Sequence, residues 1–392
     1  MKEAYILDGA RTSFGGFGKS FKETSATQLG IASATEALRR AGVEPAEVEQ
    51  AIYGNVIHSS VSAAYVARHV ALHAGVPETA PAMLVNRLCA SGMQAVVSAA
   101  QSIRLGEANL VLAGGIENMS QSPHADFASR FGSKLGPVVL EDMLQQTLHD
   151  AYIGCGMGVT AENLAERYGI SREQQDEYAV VSHQRAASAE QSGILAEEIV
   201  GIEVRDGKSV RIADSDELIR ADTNAASLGK LKPAFRQGGT VTPGNASGIN
   251  DGAVSLVIAG EDGLRGRQPL ARIVSWGIAG VDPSIMGIGP VPASRIALGR
   301  AGLAMADMGL IEINEAFAVQ YLAVERELQL DRAVTNVNGG AIALGHPVGA
   351  SGARVLLTLA YGLRRTGRRY GLASLCIGGG QGMAVVLENA GI

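Results

Sequence analysis

The sequence predicts an α/β protein built from two similar halves, with a long insertion in the first half. Short apolar segments alternate with helical patterns near both ends of the chain, which is typical of a parallel sheet covered by helices on both faces. Segments from the two ends also match each other at a constant spacing. Between residues 118 and 249, strand-like apolar segments become scarce and irregular polar sequence takes over. Loops of this length in compact domains usually have a functional role.

The bulk composition excludes several classes of protein. The 392 residues are 46% hydrophobic and 18% charged, an ordinary balance for a globular protein of two or three domains. A net charge of −6 and an aromatic content of 4% do not suit a nucleic-acid partner. No apolar segment reaches the ~18 residues that span a bilayer, so no membrane partner is expected. Three widely spaced cysteines and an N-terminus without a signal pattern fit the cytoplasm.

Periodicity predicts the elements in order along the chain. Apolar strands are expected at residues 5–8, 51–53 and 110–115, and helices at 27–40, 64–73 and 91–104. Inside the insertion, Ser171 and Gln174 have the spacing of a capping box, which predicts a helix from there to about Gln191. A buried strand at residues 253–259 then returns the chain to the first half.

The repeat is visible at separated places. Residues 37–43 (ALRRAGV) match 297–303 (ALGRAGL), and 90–92 (ASG) match 350–352, so that 297 − 37 and 350 − 90 both equal 260. Helix–glycine–strand units resemble one another in every α/β fold, but a shared offset at several places favours a repeat. We therefore predict a first half, an insertion and a second half, at residues 1–117 with 250–269, 118–249 and 270–392.

Cys89 lies where a predicted strand turns into a predicted helix. Ser91 and Gln94 have the spacing of a capping box, which predicts that the helix starts at Ser91. The free amides of the first turn and the helix dipole would favour the thiolate of Cys89. Packing in the core is nevertheless the commonest use of a free cysteine, so this corner alone does not identify a nucleophile.

The repeat brings two more reactive residues towards Cys89. His346 lies at the equivalent corner of the second half, and Cys376 ends a second-half strand. Because ligands of open α/β sheets bind outside the carboxyl ends of the strands, we expect the three side chains to converge. His346 would then be the base for Cys89, and Cys376 a second acid or base. Zinc is another interpretation of this set, but no C-x-x-C or H-x-x-x-H spacing supports a metal.

Two neighbouring features offer polar contacts to a reacting carbonyl. Gly378 is the first of three glycines after Cys376, and it leaves backbone amides open for an oxyanion. Asn314 ends another predicted strand, where its amide can hold a water or a carbonyl.

Seven segments, in order and at similar spacing, resemble the motif series of the thiolase family. They are VNRLCASGMQ at 85–94, GGIENMS at 114–120, MGVTAEN at 157–163, GNASGINDG at 244–252, NEAFA at 314–318, GHPVGASG at 345–352 and CIGGGQG at 376–382. The resemblance covers essentially the whole chain. It implies the thiolase-like α/β fold, with two halves related by pseudo-twofold symmetry and an inserted loop domain.

The resemblance also implies acyl transfer between coenzyme A thioesters. A thiolase cleaves a 3-oxoacyl-CoA with CoA, or condenses two acetyl-CoA molecules to acetoacetyl-CoA. By position, Cys89 would be the nucleophile, and His346 would activate it and help to bind the thioester oxygen. Cys376 would move the proton at the α-carbon or at the CoA sulfur. Asn314 would orient a water in one oxyanion hole, and the amides of Cys89 and Gly378 would form the other.

The insertion would be the CoA-binding loop domain. Residues 218–238 contain four basic residues and one acidic residue, so 4 − 1 gives a local charge of +3 that suits the phosphates of CoA. A solvated surface is the ordinary alternative for such charges. The resemblance assigns Arg220 to the nucleotide and Ser247 to the pantetheine. The channel would be lined by Met157, Leu231, Phe235 and Phe317.

Several alternatives stay open at this point. One is a 3-ketoacyl-CoA thiolase of broader or longer chain length in fatty-acid or aromatic-acid degradation, since Cys155-Gly156 stand where many thiolases have a histidine before Met157. A ketoacyl synthase that takes acyl groups from a carrier protein would have two histidines beside its cysteine. A non-catalytic acyl-CoA-binding protein would lack the nucleophile or the base.

No cofactor is expected beyond the CoA thioester substrates, and the resemblance implies a homo-oligomer, a dimer or a homotetramer.

Overall fold

A mixed sheet of eleven strands runs through the computed structural model, which describes residues 2–207 and 209–392. The strands of the described residues, including those of three small separate ribbons, are β1 Ala4–Thr12, β2 Gly15–Gly16, β3 Gln50–Gly54, β4 Ala82–Val85, β5 Leu110–Asn118, β6 His124–Ala125, β7 Glu141–Asp142, β8 His149–Asp150, β9 Cys155–Gly156, β10 Ile199–Val200, β11 Ile202–Asp206, β12 Ser209–Ala213, β13 Asn250–Gly260, β14 Ala271–Gly280, β15 Met308–Ile313, β16 Tyr370–Ile377 and β17 Gln381–Asn389.

The α-helices cover this sheet. They are α1 Ala26–Arg40, α2 Val66–His73, α3 Ser91–Leu105, α4 Met143–Thr147, α5 Met157–Tyr168, α6 Arg172–Gln191, α7 Ala225–Leu228, α8 Glu261–Leu264, α9 Pro290–Ala301, α10 Ala318–Leu328, α11 Ala341–Leu344 and α12 Val348–Thr366. Helix α6 begins after the predicted capping box of Ser171 and Gln174, which is present, and it ends at the predicted Gln191. No helix in the described ranges is long and apolar enough to cross a membrane.

The strand order repeats between the two halves. The first half runs β3-β5-β13-β1 and the second runs β15-β16-β17-β14, with β1 and β14 adjacent and antiparallel at the centre. In each half, the first two strands of this order are parallel to each other, and each later pair of neighbours is antiparallel. The predicted fold class, two similar α/β halves with an inserted region, is confirmed. The residue boundaries of the three domains stay a prediction.

Three apolar cores define the layers. The largest contains helices α3 and α12 together with strand residues of both halves. A second core packs α1 and α2 on the first half, and a third packs α9 and α10 on the second. Helix α12 is buried without a break from Val348 to Leu363, so it is a central helix enclosed on all sides.

The two central helices approach each other at backbone distance. A Cβ atom added to Gly115, on the neighbouring strand β5, would lie 2.1 Å from the carbonyl oxygen of Gly349 at the start of α12. A Cβ on Gly92 would lie 2.9 Å from the backbone nitrogen of Ala353. Both glycines are therefore required by close packing, and this packing brings the starts of α3 and α12 together.

A buried ion cluster fastens the insertion to strand β1. The Arg11 side chain is fully buried, and its Nε atom donates to Glu198 at 2.9 Å. Its two terminal nitrogens donate to the carboxylate of Asp216 at 2.7 and 2.8 Å. Glu198 and Asp216 both belong to the insertion, so this arginine fixes the insertion against the first half of the sheet.

The close packing of α12 against strand β5 gives a stability prediction. Gly115→Ala should lower the free energy of unfolding by about 1–3 kcal/mol or more, because the new methyl group overlaps a backbone carbonyl that cannot move independently. The measurement is the urea midpoint at a fixed protein concentration. Gly299→Ala is the matched control, since its Cβ would meet no atom within 4 Å on the exposed side of α9. That change should leave stability equal or slightly raised. Equal midpoints for both variants would contradict the packing argument.

Candidate active site

Cys89 lies at a tight corner between strand β4 and helix α3. Leu88, just before it, has a φ of +47°, a left-handed conformation that residues other than glycine rarely adopt. The backbone amides of Ala90 and Ser91 donate to the carbonyls of Arg87 and Leu88 at 3.1 and 2.9 Å. These two successive turns place Cys89 on the wall of an enclosed pocket.

The helix begins at Ser91 as predicted, but the predicted capping box is wrong. Ala90 is the N-cap residue, and no side chain caps the helix. The Ser91 hydroxyl donates to the carbonyl of Leu88 at 2.7 Å and accepts from the amide of Arg87 at 2.9 Å. The Gln94 side chain accepts from the Arg87 guanidinium at 2.8 Å. Both side chains therefore stabilise the turn that carries Cys89.

Burial decides the protonation state of Cys89. It raises the pKa of the thiol to about 11, although the backbone amides of Gly378 and of Cys89 itself favour the thiolate, and the Glu117 carboxylate raises the pKa slightly more. The sequence predicts that amides at the helix start favour the thiolate. Amide contacts of this kind are present, but desolvation outweighs them. At neutral pH the resting state of Cys89 is the thiol.

His346 is held in one tautomer by its neighbours. Its backbone amide donates to the side chain of Asn250 at 2.9 Å, and its Nδ1 atom lies 2.6 Å from the Ser351 hydroxyl. That hydroxyl has a single proton, and it donates this proton to the carbonyl of Pro347 at 2.9 Å. This arrangement favours the tautomer in which Nδ1–H donates to that oxygen, and Nε2 of His346 then has the lone pair that a base requires.

His346 is a neutral imidazole at physiological pH. Burial and, to a smaller extent, the positive charge of Arg354 lower its pKa to about 4. Arg354 is fully buried in helix α12, where its guanidinium forms an ion pair with Glu312 at 3.1 Å. A neutral imidazole can accept a proton from a thiol, which an imidazolium cannot.

Asn314 lies beside the imidazole ring of His346. Its backbone amide donates to the carbonyl of Ser374 at 2.9 Å, which ties the residue after β15 to strand β16. Its side-chain nitrogen is 3.5 Å from both ring nitrogens of His346, and its side-chain oxygen is 3.4 Å from the Arg354 guanidinium. Asn314 is therefore fixed on one side by Arg354 and offers its amide towards the imidazole.

Cys376 is the second-last residue of strand β16, and Gly378 is the first residue after it. Burial and the nearby Cys89 raise the pKa of the Cys376 thiol well above its ordinary value, so it rests as a proton donor. The backbone amide of Gly378 contacts the Cys89 thiol. A Cβ at Gly378 would lie 3.3 Å from Leu88 and 3.4 Å from the sulfur of Met157, so a side chain there would be tight only against Leu88.

Glu117 joins the two corners that carry Cys89 and His346. Its buried carboxylate accepts from the side chain of Asn55 at 3.0 Å and from the amides of Val56 and Ile57, both at 3.1 Å. It also accepts from the amide of Gly349 at 2.9 Å, at the start of α12 in the second half. Burial raises the pKa of Glu117 to about 8. This single side chain therefore ties loops of both halves together beside the site.

The pocket is a largely apolar cavity of about 220 Å³. Eight of the residues that the sequence proposes for the site line it: Cys89, Met157, Phe235, Ser247, Phe317, His346, Cys376 and Gly378. Asn314 does not line the cavity itself, but its side chain reaches the ring of His346, which does. Two proposed residues lie outside this enclosed space. Leu231 is 37% exposed on the loop after α7, and Arg220 is an exposed residue whose backbone amide donates to His183 at 3.3 Å.

Several residues of the pocket wall were not expected from the sequence. They are apolar side chains without chemistry of their own: Met119, Leu148, Ile249, Met286 and Val348. Met119, Ile249 and Val348 fall inside the quoted motifs, so the motifs alone could have indicated them. Leu148 and Met286 lie in segments with no motif, and only the folded chain brings them to Cys89.

Two family models match nearly the whole chain. The one described as "Thiolase, N-terminal domain" covers residues 4–262, and "Thiolase, C-terminal domain" covers residues 267–389. The chain belongs to the thiolase family. It is an enzyme, an acyltransferase of the thiolase type.

Relatives and solved thiolases agree over the full length. The chain is 48% identical to human "3-ketoacyl-CoA thiolase, mitochondrial" over 392 residues, which cover 99% of both proteins. It is 48% identical to "Acetyl-CoA acetyltransferase" of Rhizobium meliloti over 98% of both. The crystal structure of human mitochondrial 3-ketoacyl-CoA thiolase in complex with CoA superposes with a TM-score of 0.96 at 48% identity, over 99% of this chain and 98% of that one.

The pKa of Cys89 gives a prediction for the free thiolase. Because the thiolate is the nucleophile and a raised pKa keeps it scarce, alkylation of Cys89 by iodoacetamide should accelerate with pH through the neutral range. No plateau is expected below about pH 9. Peptide mass spectrometry of a pH series measures the rate, and the Cys155 peptide of the same digest controls for loss of reagent. A plateau already reached at pH 7 would mean that Cys89 rests as a thiolate.

Proposed function

We propose that this thiolase transfers an acyl group between CoA and Cys89, both in thiolytic cleavage of 3-oxoacyl-CoA and in the Claisen condensation of two acetyl-CoA molecules. The observation that carries the proposal is the convergence of Cys89, His346 and Cys376 on one apolar cavity. The names of the relatives, a 3-ketoacyl-CoA thiolase and an acetyl-CoA acetyltransferase, support both directions. The CoA complex of the human enzyme supports CoA as the partner.

Thiolysis begins when Nε2 of His346 takes the proton from the Cys89 thiol. The thiolate attacks the 3-oxo carbon, and the amides of Cys89 and Gly378 stabilise the oxyanion. The bond between C2 and C3 breaks, the acyl group stays on Cys89 as a thioester, and the electron pair goes to C2 of the departing acetyl-CoA. Cys376 donates its proton to C2, while protonated His346 and a water held by Asn314 stabilise the enolate oxygen.

The second half-reaction restores the enzyme. The Cys376 thiolate takes the proton of the incoming CoA thiol, and the CoA sulfur attacks the thioester carbon on Cys89. The bond from the acyl group to Cys89 breaks, and Cys89 leaves as a thiolate that recovers its proton from His346. Condensation follows the same steps in reverse. Thiols, an imidazole, amides and one water supply every proton and every oxyanion contact, so we propose that no metal or other cofactor takes part.

CoA would enter past the insertion. Phe235 is 45% exposed, and its ring meets that of Phe317 edge-on at 6.2 Å, at a point where both line the cavity. We place the pantetheine in the part of the cavity lined by these two rings, Met157 and Ser247. Arg220 and Leu231 lie outside the cavity, where the nucleotide end of CoA would remain, and the basic segment at residues 218–238 supports this placement.

We propose a cytoplasmic homotetramer that acts in fatty acid metabolism. Cysteines 89, 155 and 376 are free thiols, which suits a reducing compartment. Phe131 and Leu135 in the insertion are both 96% exposed, and Met83 on strand β4, at the end of the sheet, is 40% exposed. Exposed apolar side chains of this kind support association with further copies of the chain.

A broader or longer acyl preference is the second candidate. Beyond Cys89 the cavity is walled by Met119, Leu148, Ile249 and Val348, all of them apolar. Such a wall can bury carbon atoms beyond those of an acetyl group, which favours acyl chains longer than two carbons.

Removal of the nucleophile tests the proposal directly. Cys89→Ala should abolish the acetyl adduct that forms when the enzyme is incubated with acetyl-CoA, because no other thiol replaces it. Intact-protein mass spectrometry measures the adduct. Cys155→Ala is the matched control and should keep both the adduct and the transfer to CoA. An adduct in Cys89→Ala with transfer intact would show that another residue is the nucleophile.

The role of Cys376 predicts a split between two reactions. In Cys376→Ser, acylation of Cys89 by acetyl-CoA should survive better than cleavage of acetoacetyl-CoA by CoA, since only the latter needs a proton delivered to carbon. General acid catalysis is worth about 10²–10⁴ in rate, so cleavage should fall by that order. Stopped-flow acylation and steady-state thiolysis provide the comparison. Equal losses in both reactions would remove the reason to give Cys376 a separate proton-transfer role.

A further inference from the structure

A short hairpin covers the cavity and carries a glycine on its inner side. Strands β8 and β9 pair antiparallel, with His149 opposite Gly156, and the amide of Met157 donates to the carbonyl of Leu148 at 2.9 Å. Leu148, Gly156 and Met157 all line the cavity together with Cys89. The hairpin is therefore one wall of the space that receives the substrate.

Neither the backbone nor the packing requires a glycine at position 156. Its φ of −79° and ψ of 162° are ordinary extended values that any residue adopts. A Cβ added there would meet only the carbonyl oxygen of Leu148, at 3.4 Å, which is normal van der Waals contact.

The neighbouring glycines differ in this respect. Gly154 has a φ of +67°, a left-handed value that disfavours side chains. A Cβ at Gly158 would lie 2.2 Å from the ring of Phe235. Backbone conformation or packing therefore explains why positions 154 and 158 are glycines, but neither explains Gly156. Because Gly156 lines the cavity, the space left by its missing side chain belongs to the cavity.

The surroundings indicate what fills that space. The apolar cluster beside Cys89 contains Ile57, Met119, Leu144 and Val348, with Leu148 packed against it. Among the described residues that line the cavity, the ionisable side chains are Cys89, His346 and Cys376 at the reacting centre. The rest of the lining is uncharged. A hydrocarbon chain attached to the acyl carbon on Cys89 is the part of the substrate that fits such a wall.

We propose that Gly156 is a specificity-determining residue that opens the acyl end of the cavity to 3-oxoacyl-CoA chains longer than acetoacetyl-CoA. The inference rests on the proposed thiolysis and adds the class of acyl group. A side chain at this position would occupy the volume of the distal carbons and leave the reacting carbonyl untouched.

The experiment compares kcat/KM for thiolysis of acetoacetyl-CoA and of 3-oxooctanoyl-CoA in wild type, Gly156→Ala and Gly156→Val. Wild type should cleave both substrates. Since one methylene too many in an apolar pocket changes discrimination by about 10–200-fold, Gly156→Val should lower the ratio for the longer substrate at least tenfold. Activity towards acetoacetyl-CoA should fall less than activity towards the longer substrate, and the urea midpoint of the variant shows that it is folded. Gly156→Ala should give an intermediate ratio.

Cys155→Val is the matched control, because it adds a branched side chain one residue earlier on the same strand and outside the cavity lining. Its ratio should stay within twofold of wild type. Equal losses for both substrates in Gly156→Val, with a raised KM for CoA, would place Gly156 at the pantetheine and overturn the inference. A wild type that cleaves acetoacetyl-CoA alone would also overturn it. Cleavage of neither substrate would instead refute the proposed function, and the inference with it.

Discussion

Helices α3 and α12 lie so close together that one added methyl group would force them apart. The contact depends on Gly92 and Gly115, each of which faces backbone atoms of the opposite half. Cys89 lies in the turn between strand β4 and α3, and His346 in the turn between α11 and α12, not at the strand-to-helix corner expected from the sequence. The approach of α3 and α12 therefore also fixes the separation of Cys89 and His346. Glu117 reinforces the same junction by accepting hydrogen bonds from loops of both halves. The geometry of the site is thus a consequence of helix packing in the central core.

Burial determines the protonation states of Cys89 and His346, and these matter for the chemistry as much as the geometry of the site does. The same dense surroundings raise the pKa of Cys89 to about 11 and lower that of His346 to about 4, so both rest uncharged. An ion pair of thiolate and imidazolium is therefore unfavourable before substrate arrives. In the proposed reaction, charge develops only where the amides of Cys89 and Gly378 and the side chain of Asn314 can stabilise it. An apolar pocket of this kind also limits the access of bulk water to a thioester on Cys89.

The sequence carries much of this information, because repeats and backbone turns leave local signals. The offset of 260 residues predicted the pairing of the two corners, and the capping box at Ser171 predicted helix α6. The same spacing at Ser91 failed, because the turn before the helix uses that hydroxyl first. The protonation of Cys89 could not be predicted, since it depends on how many atoms from distant segments exclude water. Leu148 was missed for the same reason.

The repeat has one further consequence. Cys89 and His346 lie in the turns before two equivalent helices, although 89 + 260 = 349 shows that they are not at the same position, and they differ in chemistry. Two identical chains meeting on an exact twofold axis would present the same residue at both corners, so nucleophile and base would have to share each one. Fusion of the copies into a single polypeptide removes that constraint, because each corner can then accumulate substitutions independently. The asymmetry of the proposed catalytic pair thus depends on two similar halves that differ in sequence.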